Sequence, residues 1–276
     1  MTIEHRAMTQ DELAGVLDWA AAEGWNPGLE DAAAFFAADP AGFFVATNAT
    51  QAVAAISVVN HSDDFAFLGL YLCRPEYRGQ GIGLALWQHA LAHAGGRTVG
   101  LDGVADQQAN YEKSGFVHAG GTTRFSGKLQ GVLYGGVRAA REEDIDELVD
   151  READACGWRK PAYLSAWFRN NAQRKTYLYD AKGETEGFAT VRQCREGAKI
   201  GPLVAPDEEV AYALLLHCAA AFGEDIVIDV PATSTRLRGM VEELGLSPGF
   251  ETARMYKGEA RTPRSELYAV TSLELG

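Results

Sequence analysis

Arg78-Gly79-Gln80-Gly81-Ile82-Gly83 lies inside PEYRGQGIGLALW (75–87), where a strand-like run, FAFLGLYLC (65–73), gives way to a helix-like one, IGLALWQHALAHA (82–94). A glycine-rich turn at such a junction lets main-chain N–H groups converge on an anion. The partial positive charge of the helix N-terminus adds to the attraction, and Arg78 sets a cation beside it. The stretch reads as a holder for a phosphorylated cofactor. Two common phosphate turns fit it poorly. The Walker turn ends in Gly-Lys-Ser/Thr, whereas Leu84 and Ala85 follow Gly83. The dinucleotide fingerprint opens the first strand–helix unit with G-x-G-x-x-G. Counted from Gly79, its last glycine falls on Leu84, and several strands precede the turn.

Hydrophobic periodicity and Gly/Pro punctuation divide the chain around this turn. A strand is expected near 2–7, helices near 10–23 and 29–38, and strands near 42–47, 51–60 and 64–73. A helix near 81–94, a strand near 97–103, a helix near 105–114 and a strand pair, Phe116–His118 and Thr122–Leu129, follow. The order then returns: a strand near 133–139, helices near 142–156 and 160–170, strands near 175–180, 186–193 and 197–204, a helix at 207–222, a strand at 225–230, a helix at 233–244, and strands near 249–257 and 266–274. At an offset of 133, Asp11 aligns with Asp144, Val16 with Val149, Gly24-Trp25 with Gly157-Trp158 and Phe35 with Phe168. Self-similarity at a fixed period reads as an internal duplication. Two domains are expected, 1–130 and 131–276, joined through SGKLQGVLYGG.

Composition narrows the class. The 276 residues are 47% hydrophobic, enough for a globular core. No 18-residue apolar run suggests a membrane span, and the first residues carry no apolar signal core. The protein reads as soluble and cytoplasmic. A net charge of −13 argues against nucleic acid as a partner. Cys73, Cys156, Cys194 and Cys218 are widely spaced and form no CxxC pair, so neither a metal site nor a disulfide framework is expected.

A third phosphate turn, R-x-x-G-x-G, is met by Arg78, Gly81 and Gly83. Preceded by Pro75-Glu76-Tyr77, it resembles the coenzyme A pyrophosphate loop of the GNAT superfamily of N-acetyltransferases. ANYEKSGF (109–116), with Asn110, Tyr111, Gly115 and Phe116, resembles that superfamily's second motif. The element order is similar too. The WNPG loop, GLDGVADQQANYEKSGF and the ending SLELG resemble a two-domain GNAT subgroup whose second copy is degenerate. The resemblance implies an α/β (α+β) fold of two GNAT-like domains, each with a mixed, mostly antiparallel sheet flanked by helices. It also implies an acetyl-CoA-dependent N-acetyltransferase acting on a primary amine, small molecule or lysine-type. A non-catalytic CoA-binding or regulatory module is the alternative, and a longer-chain acyltransferase a third.

The resemblance implies roles as well. Main-chain N–H groups of Arg78, Gly79, Gln80, Gly81, Ile82, Gly83 and Leu84 would hold the pyrophosphate. Main-chain groups of Leu72, Cys73 and Arg74 would pair with the pantetheine as an added strand does. Tyr111 would protonate the departing thiolate as general acid. Asn110 is open between a cofactor contact and a cap. The position where many family members carry a strand carboxylate falls on Phe67. Asp102, at the end of the next strand, is then the leading candidate for the base, with an ordered water or a neutral amine as substitutes. Asp64 reads as turn chemistry and His61 as a solvated histidine. Leu68, Leu70 and Leu72 alternate with Phe67, Gly69, Tyr71 and Cys73, so the leucine face should pack on a helix; the resemblance implies that the other face looks toward the acceptor. Gly69 would leave room there, and Tyr71, Trp25 and Asn26 would shape the acceptor pocket.

In the second copy, aligning Pro206 with Pro75 sets Glu209 against Arg78, Tyr212 against Gly81 and Leu214 against Gly83. Coenzyme A is not expected to bind there. Arg254 and Tyr256, on a late strand, are read as ordinary sheet-surface residues or as a wall of the first copy's acceptor pocket.

Overall fold

The computed structural model describes residues 2–49, 51–181 and 183–276. The first half runs β1 (Ile3–Ala7), α1 (Gln10–Ala22), α2 (Asp31–Ala38), β2 (Phe43–Asn48), β3 (Gln51–Asn60), β4 (Phe65–Cys73), α3 (Ile82–Leu91), β5 (Thr98–Gly103), α4 (Gln108–Lys113) and β6 (Val117–Lys128). The second half repeats that order: β7 (Val137–Ala139), α5 (Ile145–Cys156), α6 (Pro161–Trp167), β8 (Arg174–Ala181), β9 (Glu184–Gln193), β10 (Ala198–Val204), α7 (Glu208–Phe222), β11 (Asp225–Pro231), α8 (Thr235–Glu243) and β12 (Ser247–Lys257). A further short strand, β13 (Leu267–Ala269), closes it. The fold is mixed α/β, with a mostly antiparallel sheet flanked by helices.

Local chemistry explains the helix starts. Thr9 and Glu12 form a reciprocal capping box on α1, whose Leu13, Val16, Leu17 and Ala20 recur at three- and four-residue spacing and are buried. Ile82, Leu86, Trp87 and Ala90 do the same for α3, which covers one face of the first half's sheet. The opposite face joins a core shared by both halves. There α1 and α2 meet α5 and α6, and Phe35 packs on Tyr163 and Trp167 at ring separations of 5.9 and 6.0 Å.

The sheet is continuous, in the order β1-β2-β3-β4-β5-β12-β6-β11-β10-β9-β8-β7, with β13 on β10. The last strands of the two halves are exchanged. β12 lies along β5, from Val99↔Lys257 to Gly103↔Ala253, and β6 lies along β11, from Thr122↔Pro231 to Lys128↔Asp225. We propose 130/131 as the boundary between units along the chain; in space each unit borrows the other's final strand. The strand pair expected at 116–129 is one long strand, with two register shifts against β12. The strand expected over 266–274 keeps only its first residues in the sheet.

Asp31 ties the halves through two buried ionic contacts. Asp31, fully buried on α2, accepts hydrogen bonds from Arg174 Nη2 at 2.9 Å and Arg192 Nε at 3.2 Å. Both guanidinium groups lie over Trp167, 4.2 and 4.6 Å from its ring centre. Burial alone would raise the Asp31 carboxyl, but the two guanidinium charges outweigh it and hold the group below its ordinary value.

After β13 the chain leaves the sheet and crosses between the halves. Thr271 Oγ1 donates to Glu152 Oε1 at 2.8 Å, and Ser272 Oγ accepts from Tyr163 at 3.2 Å and from the Leu275 N–H at 3.1 Å. His61 is not solvated: its Nε2 donates to the Leu275 carbonyl at 2.8 Å and the ring is buried. A Cβ at Gly69 would overlap the carbonyl oxygen of Glu274, and one at Gly201 that of Val270. The tail thus needs glycine at the matching place in β4 and β10.

Burial, and after it the Lys160 cation, lowers the His61 imidazole from 6.5 to about 3. Between those values the unfolded chain carries a proton that the folded chain does not. This group's contribution is therefore intact above pH 6.5 and is lost by about 1.4 kcal/mol per pH unit as pH falls toward 3. His61→Gln is expected to flatten that slope in urea unfolding measured at pH 7, 5.5 and 4. A variant with the wild-type slope would show that another group controls it.

Candidate active site

β4 and β5 run parallel and pair from Phe65↔Thr98 to Leu68↔Leu101, then part. Among the described residues, no strand lies beside the β5-facing edge of β4 beyond Leu68, while its other edge stays on β3. The Arg74 N–H goes to Val53 O at 2.9 Å, toward β3. By the two-residue alternation of an antiparallel ladder, Leu72 shares that side and the Cys73 N–H faces the open edge. The Cys73 carbonyl accepts from Arg78 Nε at 2.8 Å. Of the three residues expected on the open edge, only Cys73 presents its N–H there.

A bulge sits at the parting point. Ser57 pairs with Gly69 but Ala55 pairs with Leu72, and Leu70 adopts a left-handed φ of 49°. One extra residue resets the alternation. Leu70 and Leu72 join the shared core, while Leu68 falls on the α3 face with Tyr71 and Cys73. The expected single leucine face is therefore split. Gly69 faces the tail and not, with Tyr71, the α3 side; its vacant space is filled by the Glu274 carbonyl.

The turn after β4 presents main-chain donors. The Arg78 N–H is taken by Pro75 O at 3.2 Å, which removes it from the expected set. Among the described residues, no acceptor meets the N–H groups from Gly79 to Leu84. Gly79 and Gly81 hold φ of 72° and 79° with open space where a side chain would stand. These are conformations that glycine adopts freely. Gly83 is required by a neighbour instead: a Cβ would come within 2.7 Å of the Tyr71 hydroxyl. No acidic residue occupies the first turn of α3. Six free donors and a half-exposed Arg78 suit a phosphate group.

Two cavities meet beside this edge. A cleft of about 890 Å³ runs between α3 and α4, with Trp87, Gln88, Asn110 and Lys113 on its walls. A second, of about 70 Å³, opens between the parted strands, β12 and the tail, lined by Trp25, Gly69, Asp102, Arg124, Phe250, Thr252 and Glu274. Both are lined by Tyr71, Gln107 and Tyr111. Trp87 stacks on the Tyr111 ring at 5.3 Å, and Gly103 leaves room for the ring on its other side. Burial pushes the Tyr111 hydroxyl upward, with the neighbouring Tyr71 adding to it, so it keeps its proton at neutral pH.

The remaining expected residues fall as follows. Asn110 is exposed on the cleft wall, and its amide donates to Gln107 Oε1 at 3.1 Å. Trp25 lines the smaller cavity, and its carbonyl accepts from Arg124 at 3.0 Å. Asn26 is not brought there; its side chain bridges both main-chain groups of Glu196 in the second half. Asp102 reaches the cavity with a fully buried side chain, and each oxygen accepts from Arg254, at 2.8 and 2.7 Å. Burial raises its carboxyl despite the guanidinium. Arg254 and Tyr256 are therefore not surface residues: Arg254 stands opposite Asp102 in the ladder, and Tyr256 is buried against Trp158. The sequence reading passed over Thr252, Phe250, Arg124 and Glu274. For Glu274 there was a signal, one carboxylate within the otherwise uncharged run VTSLELG.

The second half lacks this arrangement. β10 and β11 pair from Ala198↔Ile226 to Ile200↔Ile228 and then part, but β13 lies in the gap, pairing Leu203↔Ala269 and Val204↔Leu267. Its helix α7 starts with an Asp207 side chain that accepts the Val210 N–H at 3.0 Å, followed by Glu208 and Glu209. The main-chain edge is closed and the helix start is acidic.

Residues 11–116 match the acetyltransferase (GNAT) family and residues 148–269 an acetyltransferase (GNAT) domain. A holothin acyltransferase from Pseudoalteromonas sp. (strain SANK 73390) is 33% identical over 283 aligned positions, which cover 99% of this chain and 96% of that protein. A solved structure from Pyrococcus horikoshii superposes with a TM-score of 0.82 at 21% identity, covering 99% of this chain and 96% of that one. A tandem GNAT protein from the clavulanic acid biosynthesis pathway superposes with a TM-score of 0.64 at 18% identity, covering 94% and 100%. With two GNAT domains in one chain and a full-length acyltransferase relative, the protein belongs to the GNAT acyltransferases as a tandem member.

Proposed function

We propose that the first half transfers an acyl group, acetyl in the simplest case, from acyl-CoA to the primary amine of a small molecule. The observation that carries this reading is the meeting of two cavities at Tyr111, beside the unpaired edge of β4. GNAT proteins use acyl-CoA, and the residues present fit it. The free N–H groups from Gly79 to Leu84 and the Arg78 guanidinium would hold the pyrophosphate. The Cys73 N–H would pair with the pantetheine. The thioester of the bound cofactor would supply an activated acyl carbon. The amine enters from the cavity closed by β12 and the tail, so it must be small. Tyr111 holds a proton where the sulfur departs and would act as the general acid. The acyl transfer named for the holothin relative supports the reaction class.

Thiol release from acetyl-, propionyl- and butyryl-CoA with a panel of primary amines tests the reading; no amine-dependent release by the wild-type protein would refute it. Tyr111→Phe is expected to lower kcat by about 10²-fold while leaving coenzyme A affinity unchanged in calorimetry. Equal turnover would remove Tyr111 as the acid. Gly81→Glu, which strains a left-handed turn and adds a negative charge beside the donors, should abolish coenzyme A binding; normal affinity would rule out the turn as the cofactor site. Asp102→Asn leaves Arg254 buried without its counter-charge and should lower stability by about 3–5 kcal/mol. In a melting experiment run beside the assay, activity should fall only with the folded fraction. A well-folded, inactive Asp102→Asn would return Asp102 to the role of base.

A further inference from the structure

An amine that attacks a thioester must give up a proton, and the smaller cavity offers two carboxylates, Asp102 and Glu274. Both Asp102 oxygens are engaged by Arg254. The Arg124 guanidinium is engaged by Asp229 at 2.7 and 2.9 Å and by the Trp25 carbonyl. Two polar atoms of the lining remain buried without a partner, Glu274 Oε2 and Thr252 Oγ1. Glu274 is only 4% exposed. Buried polar atoms in folded proteins find partners, so a carboxylate oxygen left without one on a residue that lines a cavity points to a ligand that donates hydrogen. Its position is held from the main chain. The Glu274 carbonyl packs on Gly69, the Leu275 N–H is bound by Ser272 and the Leu275 carbonyl by His61.

We infer that Glu274 receives the acceptor amine and takes its proton, with Thr252 as a second hydrogen-bonding partner, and that the acceptor is a small aromatic or heteroaromatic primary amine. The inference rests on the acyl-transfer reading above. The aromatic class follows from the walls: Trp25, Tyr71 and Phe250 line the space on both the first-half and second-half sides. In the reaction the nitrogen lone pair forms the new C–N bond and the C–S bond breaks, its electron pair leaving on sulfur. The nitrogen's proton passes to Glu274, and Tyr111 gives its hydroxyl proton to sulfur. The products are an amide and free thiol. Glu274 then returns its proton to solvent, and Tyr111 regains one from it.

The test is steady-state thiol release by the full chain with acetyl-CoA and benzylamine, tryptamine, 2-aminopyridine or a lysine-containing peptide. Glu274→Gln is expected to lower kcat by about 10²–10³-fold with the KM for acetyl-CoA within twofold of wild type. Its residual rate should climb with pH as the free amine accumulates, narrowing the gap to wild type. A purely structural glutamate would move coenzyme A affinity and melting temperature together and leave the shape of the pH profile alone. Turnover by Glu274→Gln equal to wild type overturns the assignment. Should that variant not fold, Glu274→Asp decides: a tenfold or larger loss of kcat at unchanged melting temperature upholds it, and wild-type kcat overturns it. Acylation of the peptide with none of the aromatic amines overturns the substrate class. Absence of amine-dependent release by the wild type is a different failure, that of the acyl-transfer reading itself.

Discussion

Where two parallel strands part, each exposes a row of main-chain N–H and C=O groups that need partners. Both halves of this chain contain such a parting, and it governs the rest. In the second half β13 pairs with β10 and satisfies the edge from within the chain. In the first half the edge of β4 past Leu68 stays free, beside a helix start whose leading N–H groups also lack acceptors. One duplicated framework thus ends with one closed gap and one open gap. This asymmetry needs no change of fold, only a short segment that fills one gap and passes by the other.

That segment links the halves further. From the gap in the second half it runs to β4, resting on Gly201 and then on Gly69. With the exchanged strand β12, it builds the wall facing the parted strands. The smaller cavity is therefore a joint product: Trp25, Gly69, Asp102 and Tyr111 come from the first half, and Thr252, Phe250 and Glu274 from the second. The Asp102–Arg254 pair is part of the same seam, since the register of β12 on β5 sets the two side chains opposite each other. A carboxylate that looks free along the chain is neutralised by a cation about 150 residues away.

Much of the first half was legible in the sequence because its signals are local. Gly79 and Gly81 require left-handed turn conformations, Pro75 starts the preceding turn, and the spacing of Ile82, Leu86 and Ala90 marks a helix. The duplication was legible from Gly24-Trp25 and Gly157-Trp158, and element order followed from periodicity. What was misread depends on distant neighbours. His61 looked solvated until the tail was seen to cover it. The leucines of β4 looked like one face until the bulge at Leu70 divided them, and Asn26 looked like a pocket residue until Glu196 was found on its amide.

The sequence by itself determined most of the elements, their repetition, the glycine-rich turn and its loss from the second copy, because each is written in residues adjacent along the chain. Only the tertiary structure decided which strand lies beside β5, that β13 closes the second gap, and that Glu274 rather than Asp102 keeps a free carboxylate oxygen in the cavity. The physical reason is that strand pairing and charge pairing are satisfied by whichever group the fold brings near, and spacing along the chain does not name that group.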